Sequence, residues 1–61
     1  MPYRIKEVET NVIYDDVYLD LLDAVDVVKT YVKDDRLSDP PRDVTYIIVD
    51  EFDGHTCYTS R

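Results

Sequence analysis

The side chains in this sequence that are most able to do chemistry are carboxylates. Of the 61 residues, 14 are acidic and only 7 are Lys or Arg. Four aspartates recur at intervals of three or four residues: Asp16, Asp20, Asp23 and Asp26. Residues with this spacing on an α-helix have Cβ atoms about 5–6 Å apart. The spacing therefore predicts a row of negative charge along one side of a helix.

An acidic row of this kind favours binding to a basic surface of another protein. Phosphates in one DNA strand follow each other at about 3.4 Å of axial rise along a helical path, so the distance between neighbouring phosphates is similar to the spacing of these carboxylates. The row could therefore imitate a short stretch of nucleic acid. Nearby tyrosines add rings that suit contacts with Arg and Lys. A solvated helix face that keeps the protein soluble is the alternative. The predicted partner-binding residues are Asp15, Asp16, Asp20, Asp23, Asp26, Tyr14 and Tyr18.

The same charge excludes other classes of partner. The formal net charge is -7 at pH 7, and the basic residues are scattered along the chain. Affinity for nucleic acid and anionic lipid comes mainly from Lys and Arg, so we expect neither to bind directly. The chain also has no run of about 18 apolar residues, which a membrane-spanning helix requires.

A catalytic or metal-binding interpretation would rest on Asp50, His55 and Cys57. A Cys–His pair needs an orienting group and a substrate pocket, and so short a chain has little room for one. The segment 50–54 (DEFDG) lacks the ligand spacing of an EF-hand. Turn and cap positions account for these aspartates, and free cysteine is usually buried. We expect no catalytic residue, no metal, no cofactor and no enzymatic activity.

Cysteine content and the N-terminal segment indicate a compartment. Cys57 is the only cysteine and cannot form an intramolecular disulfide. The chain starts MPYRIK, without the apolar segment typical of a secretion signal. Both features favour a reducing cytoplasm.

The elements that must position these side chains follow from hydrophobic periodicity. Alternation predicts strands at 3–9 and 12–19 around a turn at 9–11, and a helix starts at Leu21 with Asp20 as its N-cap. Two further strands are predicted at 44–50 and 55–60, around the turn Asp53-Gly54. The expected fold is a single α+β domain over 1–61, with one helix packed on a small antiparallel sheet in the order ββαββ. The order βαββ is the alternative, with a helix that begins near Asp15 or Asp16.

Helical spacing divides the helix into two faces. The exposed face is expected to carry Asp23, Asp26, Thr30 and Lys33, and the pair Asp34 and Asp35 should help to end the helix. The buried face is expected to comprise Leu21, Val25, Val28 and Val32, flanked by Leu22 and Ala24.

Both faces of the sheet are predicted to be partly apolar. In the third strand Val44, Tyr46 and Ile48 point one way, and Ile47 and Val49 point the other. Across the hairpin, Ile48 is expected beside Cys57, and Tyr58 beside Ile47 or Val49. One helix covers only one face, so a second interface is predicted at Tyr46, Ile47, Val49 and Tyr58. This interface supports the alternative function, a homo-oligomeric structural or accessory protein such as a homodimer. In that case acidity serves only solubility.

Size and charge favour one functional class. Small acidic chains without a catalytic constellation are typical of phage-encoded inhibitors of host nucleic-acid machinery, a likeness of type without a shared family motif. The leading expectation is therefore a small acidic protein-binding module. Its finer form is a viral inhibitor that occupies a nucleic-acid-binding surface by charge mimicry.

Overall fold

The computed structural model describes residues 2–60. It has one helix packed on a four-stranded antiparallel sheet, which confirms the predicted α+β fold and the order ββαββ. The elements are β1 (Tyr3–Glu7), β2 (Val12–Ile13), α1 (Leu21–Leu37), β3 (Tyr46–Asp50) and β4 (Thr56–Thr59). Within these residues, no helix is long and apolar enough to cross a membrane.

The sheet has the strand order β2-β1-β3-β4, so β1 and β3 form its centre. The turn from β1 to β2 places Asn11 at a positive φ of 59°, which asparagine tolerates better than most residues. The turn from β3 to β4 uses Gly54 at φ 72°, and the Asp53 carboxylate accepts the backbone N–H of His55 at 2.8 Å. Both predicted turns are therefore confirmed.

Strand β2 is much shorter than predicted. It ends at Ile13 rather than Leu19, because the next residues include Asp15 and Asp16, a residue type that strands disfavour. The chain returns to the sheet at one point, where Tyr18 and Tyr3 exchange backbone hydrogen bonds of 2.9 and 2.7 Å. Segment 14–20 therefore lies beside the sheet as an anchored loop.

Helix α1 begins where its cap predicts. Asp20 has extended backbone angles, and its Oδ1 accepts the N–H of Leu22 at 2.9 Å. The earlier start near Asp15 or Asp16 is thus wrong. The helix also continues to Leu37, so the expectation that Asp34 and Asp35 end it is wrong as well. Asp35 is a buried residue with its own partners, described below.

The core lies between α1 and the two central strands. Ala24 and Val28 of the helix are buried together with the strand residues Ile5, Tyr46 and Ile48. Each such side chain contributes about 1.5–3 kcal/mol when fully buried, Ala24 less. Half-buried residues surround this core, among them Leu21, Val25 and Val32. These positions confirm the predicted buried helix face.

Leu22 is the exception, because it is 71% exposed rather than buried. Leu22 is two residues before Ala24 and therefore about 200° from it around the helix, so its side chain points away from the sheet. The predicted exposed face is confirmed, because Asp23, Asp26, Thr30 and Lys33 are all exposed.

The pairing of β3 with β4 also differs from the prediction. Ile48 faces Tyr58, Ile47 faces Thr59 and Val49 faces Thr56. An irregularity between Ile48 and Val49 removes Cys57 from the expected position opposite Ile48. One extra residue in a strand exchanges the faces of the side chains beyond it. Tyr58 consequently points to the helix side and packs against the core.

We expect Asp20→Ala to lower the free energy of unfolding by about 1 kcal/mol, because the N–H of Leu22 loses its cap. Asp20→Asn is the matched control, since asparagine caps as well as aspartate and removes the same charge. Urea unfolding followed by circular dichroism measures both variants. Equal losses in the two would show that charge, rather than the cap, stabilises the helix start.

Candidate functional site

The predicted acidic row forms a surface on two consecutive segments. Asp15 and Asp16 lie in the anchored loop, Asp20 caps α1, and Asp23 and Asp26 lie on its first two turns. All five are exposed. Because the helix begins at Leu21, Asp16 is not part of a continuous helical row.

These five carboxylates carry unbalanced charge. Within residues 2–60 none of them forms an ion pair, and Arg4 and Arg42 pair instead with Glu51, Glu7 and Asp35. A negative field is therefore concentrated around the N-terminal end of α1. Part of this charge stabilises the helix itself, since Asp23 lies in the first turn, where negative charge complements the helix dipole.

Two exposed leucines lie among these aspartates. Leu19 is 80% exposed and Leu22 is 71% exposed. Leu22 and Asp26 are one helical turn apart and are therefore neighbours on the surface. We name this surface the acidic-apolar face; it comprises Asp15, Asp16, Leu19, Asp20, Leu22, Asp23 and Asp26. Periodicity could not identify its leucines, because it assigned Leu22 to the core and Leu19 to a strand.

The two tyrosines predicted for the same site turn inward. Tyr14 packs edge-on against Tyr31, with ring centroids 5.6 Å apart and planes at 86°. Tyr18 also packs against the core. Burial is the main cause that raises the pKa of both tyrosines above 10. These rings support the fold, and the aspartates and leucines provide the outward surface.

The predicted second interface is divided between the two sheet faces. Tyr46 is buried beneath α1, so its assignment to an exposed interface is wrong, and Tyr58 lies on the same side. Ile47 and Val49 are half-buried on the opposite face. The register places Lys6 between Ile13 and Ile47, and Arg4 beside Val49. We name this side the uncovered sheet face; it comprises Arg4, Lys6, Ile13, Ile47 and Val49.

A buried polar network joins the helix to the sheet. The Tyr46 hydroxyl donates to Asp35 Oδ2 at 2.6 Å. Arg42 lies 3.6 Å from Asp35 Oδ1 and 3.5 Å from Glu7 Oε1, and its backbone N–H donates to the Asp35 carbonyl at 2.9 Å. Asp35 and Glu7 are both only 7% exposed. Buried carboxylates need such partners, and the network holds the loop after α1 against the sheet.

Sequence reasoning missed this network, although the spacing contained a signal. Asp35 follows Val28 by seven residues and therefore lies on the buried stripe of α1. Glu7 has the same parity as Ile5 in β1 and therefore points to the helix. An acidic residue at a core position predicts a buried partner, and here the partners are Tyr46 and Arg42.

The residues of the catalytic hypothesis are occupied by local turn contacts. Asp50 Oδ1 accepts the N–H of Phe52 at 2.8 Å. The Cys57 thiol donates to the carbonyl of His55 at 3.6 Å. Within residues 2–60, no group of three or more His, Cys, Asp or Glu residues could hold a metal ion.

No protein-family model matches the chain, and neither the curated proteins nor the solved structures include a significant match. The function is therefore inferred from these surfaces alone.

Alkaline pH should weaken the buried network through Tyr46. Burial first, and then the hydrogen bond to the Asp35 carboxylate, raise the pKa of Tyr46 above its ordinary value of 10.0. Below pH 10 the phenol is neutral in both states and its contribution to stability is complete. Above pH 10 the unfolded chain loses this proton first, so the free energy of unfolding falls as pH rises.

We expect that fall to be steeper in the unmodified protein than in Tyr46→Phe, which has no phenol to ionise at this position. Urea unfolding at several values between pH 8 and pH 11.5 measures it. At neutral pH, Tyr46→Phe should itself cost about 1–3 kcal/mol, because a buried carboxylate loses its donor. Parallel pH curves for the two proteins would contradict the assignment.

Proposed function

We propose that this protein is a small acidic protein-binding module that docks its acidic-apolar face on a basic surface of another protein. The observation that carries the proposal is the exposure of Leu19 and Leu22 among unpaired aspartates. A surface serving only solubility needs charge, and exposed leucines add nothing to it. Apolar side chains rimmed by charged ones are the usual composition of a protein interface.

The charges and the leucines have different roles in such an interface. The carboxylates attract a basic partner and orient it during the encounter, which raises the association rate. The leucines supply apolar area that leaves water on contact, which slows dissociation. The partner implied is a basic protein surface with an apolar depression inside it.

The finer proposal is inhibition by charge mimicry. A protein groove that binds phosphates presents the Lys and Arg residues that would receive these aspartates. The module would then act as a phage-type inhibitor of a host nucleic-acid-binding protein. A single free cysteine, Cys57, supports action in a reducing cytoplasm. No enzymatic activity or cofactor is part of the proposal.

Substitutions in the acidic-apolar face should weaken partner binding selectively. The partner is first captured from a cell lysate at low salt, identified by mass spectrometry and purified for affinity measurements. We expect Leu22→Ala to weaken binding by at least about fivefold, or 1 kcal/mol, if it is an interface anchor. Leu37→Ala is the matched control, because Leu37 is 75% exposed at the other end of α1 and should have no effect.

The charge contribution is tested in the same assay. Asp23→Asn/Asp26→Asn should weaken binding more than Asp34→Asn/Asp39→Asn, which removes equal charge from exposed positions outside the face. The difference should shrink as salt is added, because salt screens exposed charges. Equal effects would mean that net charge alone drives capture. Competition by an oligonucleotide for the same partner separates mimicry from binding elsewhere.

The uncovered sheet face favours a second candidate, a homodimer. Ile13 is 52% exposed there, and Ile47 and Val49 are half-buried with no element above them in residues 2–60. Arg4 and Lys6 lie in the same face and would repel their copies, although Arg4 is paired with Glu51 at 2.6 Å. This candidate therefore ranks second.

If the sheet face binds a second copy, light scattering after size-exclusion chromatography gives twice the chain mass of 7.2 kDa. Ile47→Lys should then return the protein to a monomer, because it places a third cation in the face. Thr30→Lys adds the same charge on the exposed side of α1 and should leave the dimer intact. A 7.2 kDa species at every concentration excludes this candidate.

A further inference from the structure

A groove of about 280 Å³ lies between the C-terminal half of α1 and β4, the terminal strand of the described sheet. Its floor is apolar and its helix side is basic. None of its lining residues is acidic, although the chain has a net charge of -7. Val28, Val32 and Tyr58 line the floor of the groove, and Lys29, Lys33 and Arg36 line its helix side.

Two of the three cations, Lys29 and Lys33, have no ion pair and no position at the helix end that accounts for them. All are exposed, and none forms an ion pair with another residue of the described chain. The helix dipole favours positive charge only in the last turn, which explains Arg36 but not Lys29. Lys29 and Lys33 are four residues apart, and like charges at this spacing destabilise a helix by about 0.2–0.5 kcal/mol. The helix therefore concentrates positive charge beside the groove at some cost to itself.

We propose that this groove binds an extended acidic segment of a partner protein, with the pattern acidic–apolar–acidic. Lys29 and Lys33 are separated by about 6 Å along the helix axis, from a rise of 1.5 Å per residue. Alternate side chains of an extended peptide are about 6.7 Å apart on one side, so two carboxylates at such positions match two lysines. The residue between them points the opposite way, toward the floor at Val32 and Tyr58.

Charge complementarity selects this occupant over nucleic acid. A nucleic acid carries a negative charge on every nucleotide, so much of its backbone would lie near the aspartates of a protein of net charge -7. A short acidic segment carries only a few carboxylates, and these lie beside the local cations. The apolar floor offers nothing to a phosphate but suits a Val, Ile or Leu side chain. The groove lies toward the opposite end of α1 from the acidic-apolar face. Failure of one proposal therefore leaves the other unaffected.

The probe is a fluorescein-labelled peptide of sequence Gly-Ser-Glu-Val-Glu-Val-Glu-Ser, measured by fluorescence anisotropy at low salt with the full chain. We expect saturable binding that weakens as salt rises, because exposed charges carry it. Lys29→Gln/Lys33→Gln should weaken binding by about tenfold or more, which corresponds to 1.4 kcal/mol. The same peptide with Gln in place of Glu should not bind.

Lys6→Gln is the control for the single variant Lys33→Gln, because each removes one cation and Lys6 lies on the uncovered sheet face, away from the groove. It should change the affinity of the peptide by less than twofold, and circular dichroism should show that all variants are folded. Equal weakening by Lys6→Gln and Lys33→Gln would overturn the proposal, as would the absence of saturable binding. Tighter binding of a labelled oligothymidylate at the same lysines would also overturn it, in favour of nucleic acid.

Discussion

The contact of α1 with the two central strands is the interaction on which the rest of the structure depends. It buries Ala24 and Val28 against Ile5, Tyr46 and Ile48, and these five are the buried apolar residues of the described chain. Small domains bury a low fraction of their surface, and a core of this size therefore leaves only a small margin of folding stability. The helix must therefore lie in one orientation, which decides which of its side chains reach solvent.

This orientation explains why buried and exposed residues depart from their ordinary preferences. Asp35 lies on the buried stripe of α1 and is kept there by Tyr46 and Arg42. Leu22 lies off that stripe and is exposed, although leucine usually contributes to a core. Both follow from the orientation of α1, whose buried stripe includes Asp35 and excludes Leu22. The first stabilises the fold, and the second is available to a partner.

The same orientation separates charges along α1. Aspartates dominate its first two turns and the loop before it, whereas Lys29, Lys33 and Arg36 follow the groove beside β4. Asp23 in the first turn and Arg36 in the last turn agree with the helix dipole, so these two residues also stabilise α1. The helix therefore carries two surfaces of opposite charge, one at each end.

The sequence by itself determined the element order, the start of α1 at its Asp20 cap, the two turns and the alternation of β3, because each depends on local geometry or periodicity. It also located the five exposed aspartates. Tertiary structure alone decided which residues partner Glu7 and Asp35, the exposure of Leu19 in the anchored loop, and the face of Tyr58. Each of these depends on contacts between residues distant in the chain or on a one-residue shift in strand pairing. Local spacing contains no information on either.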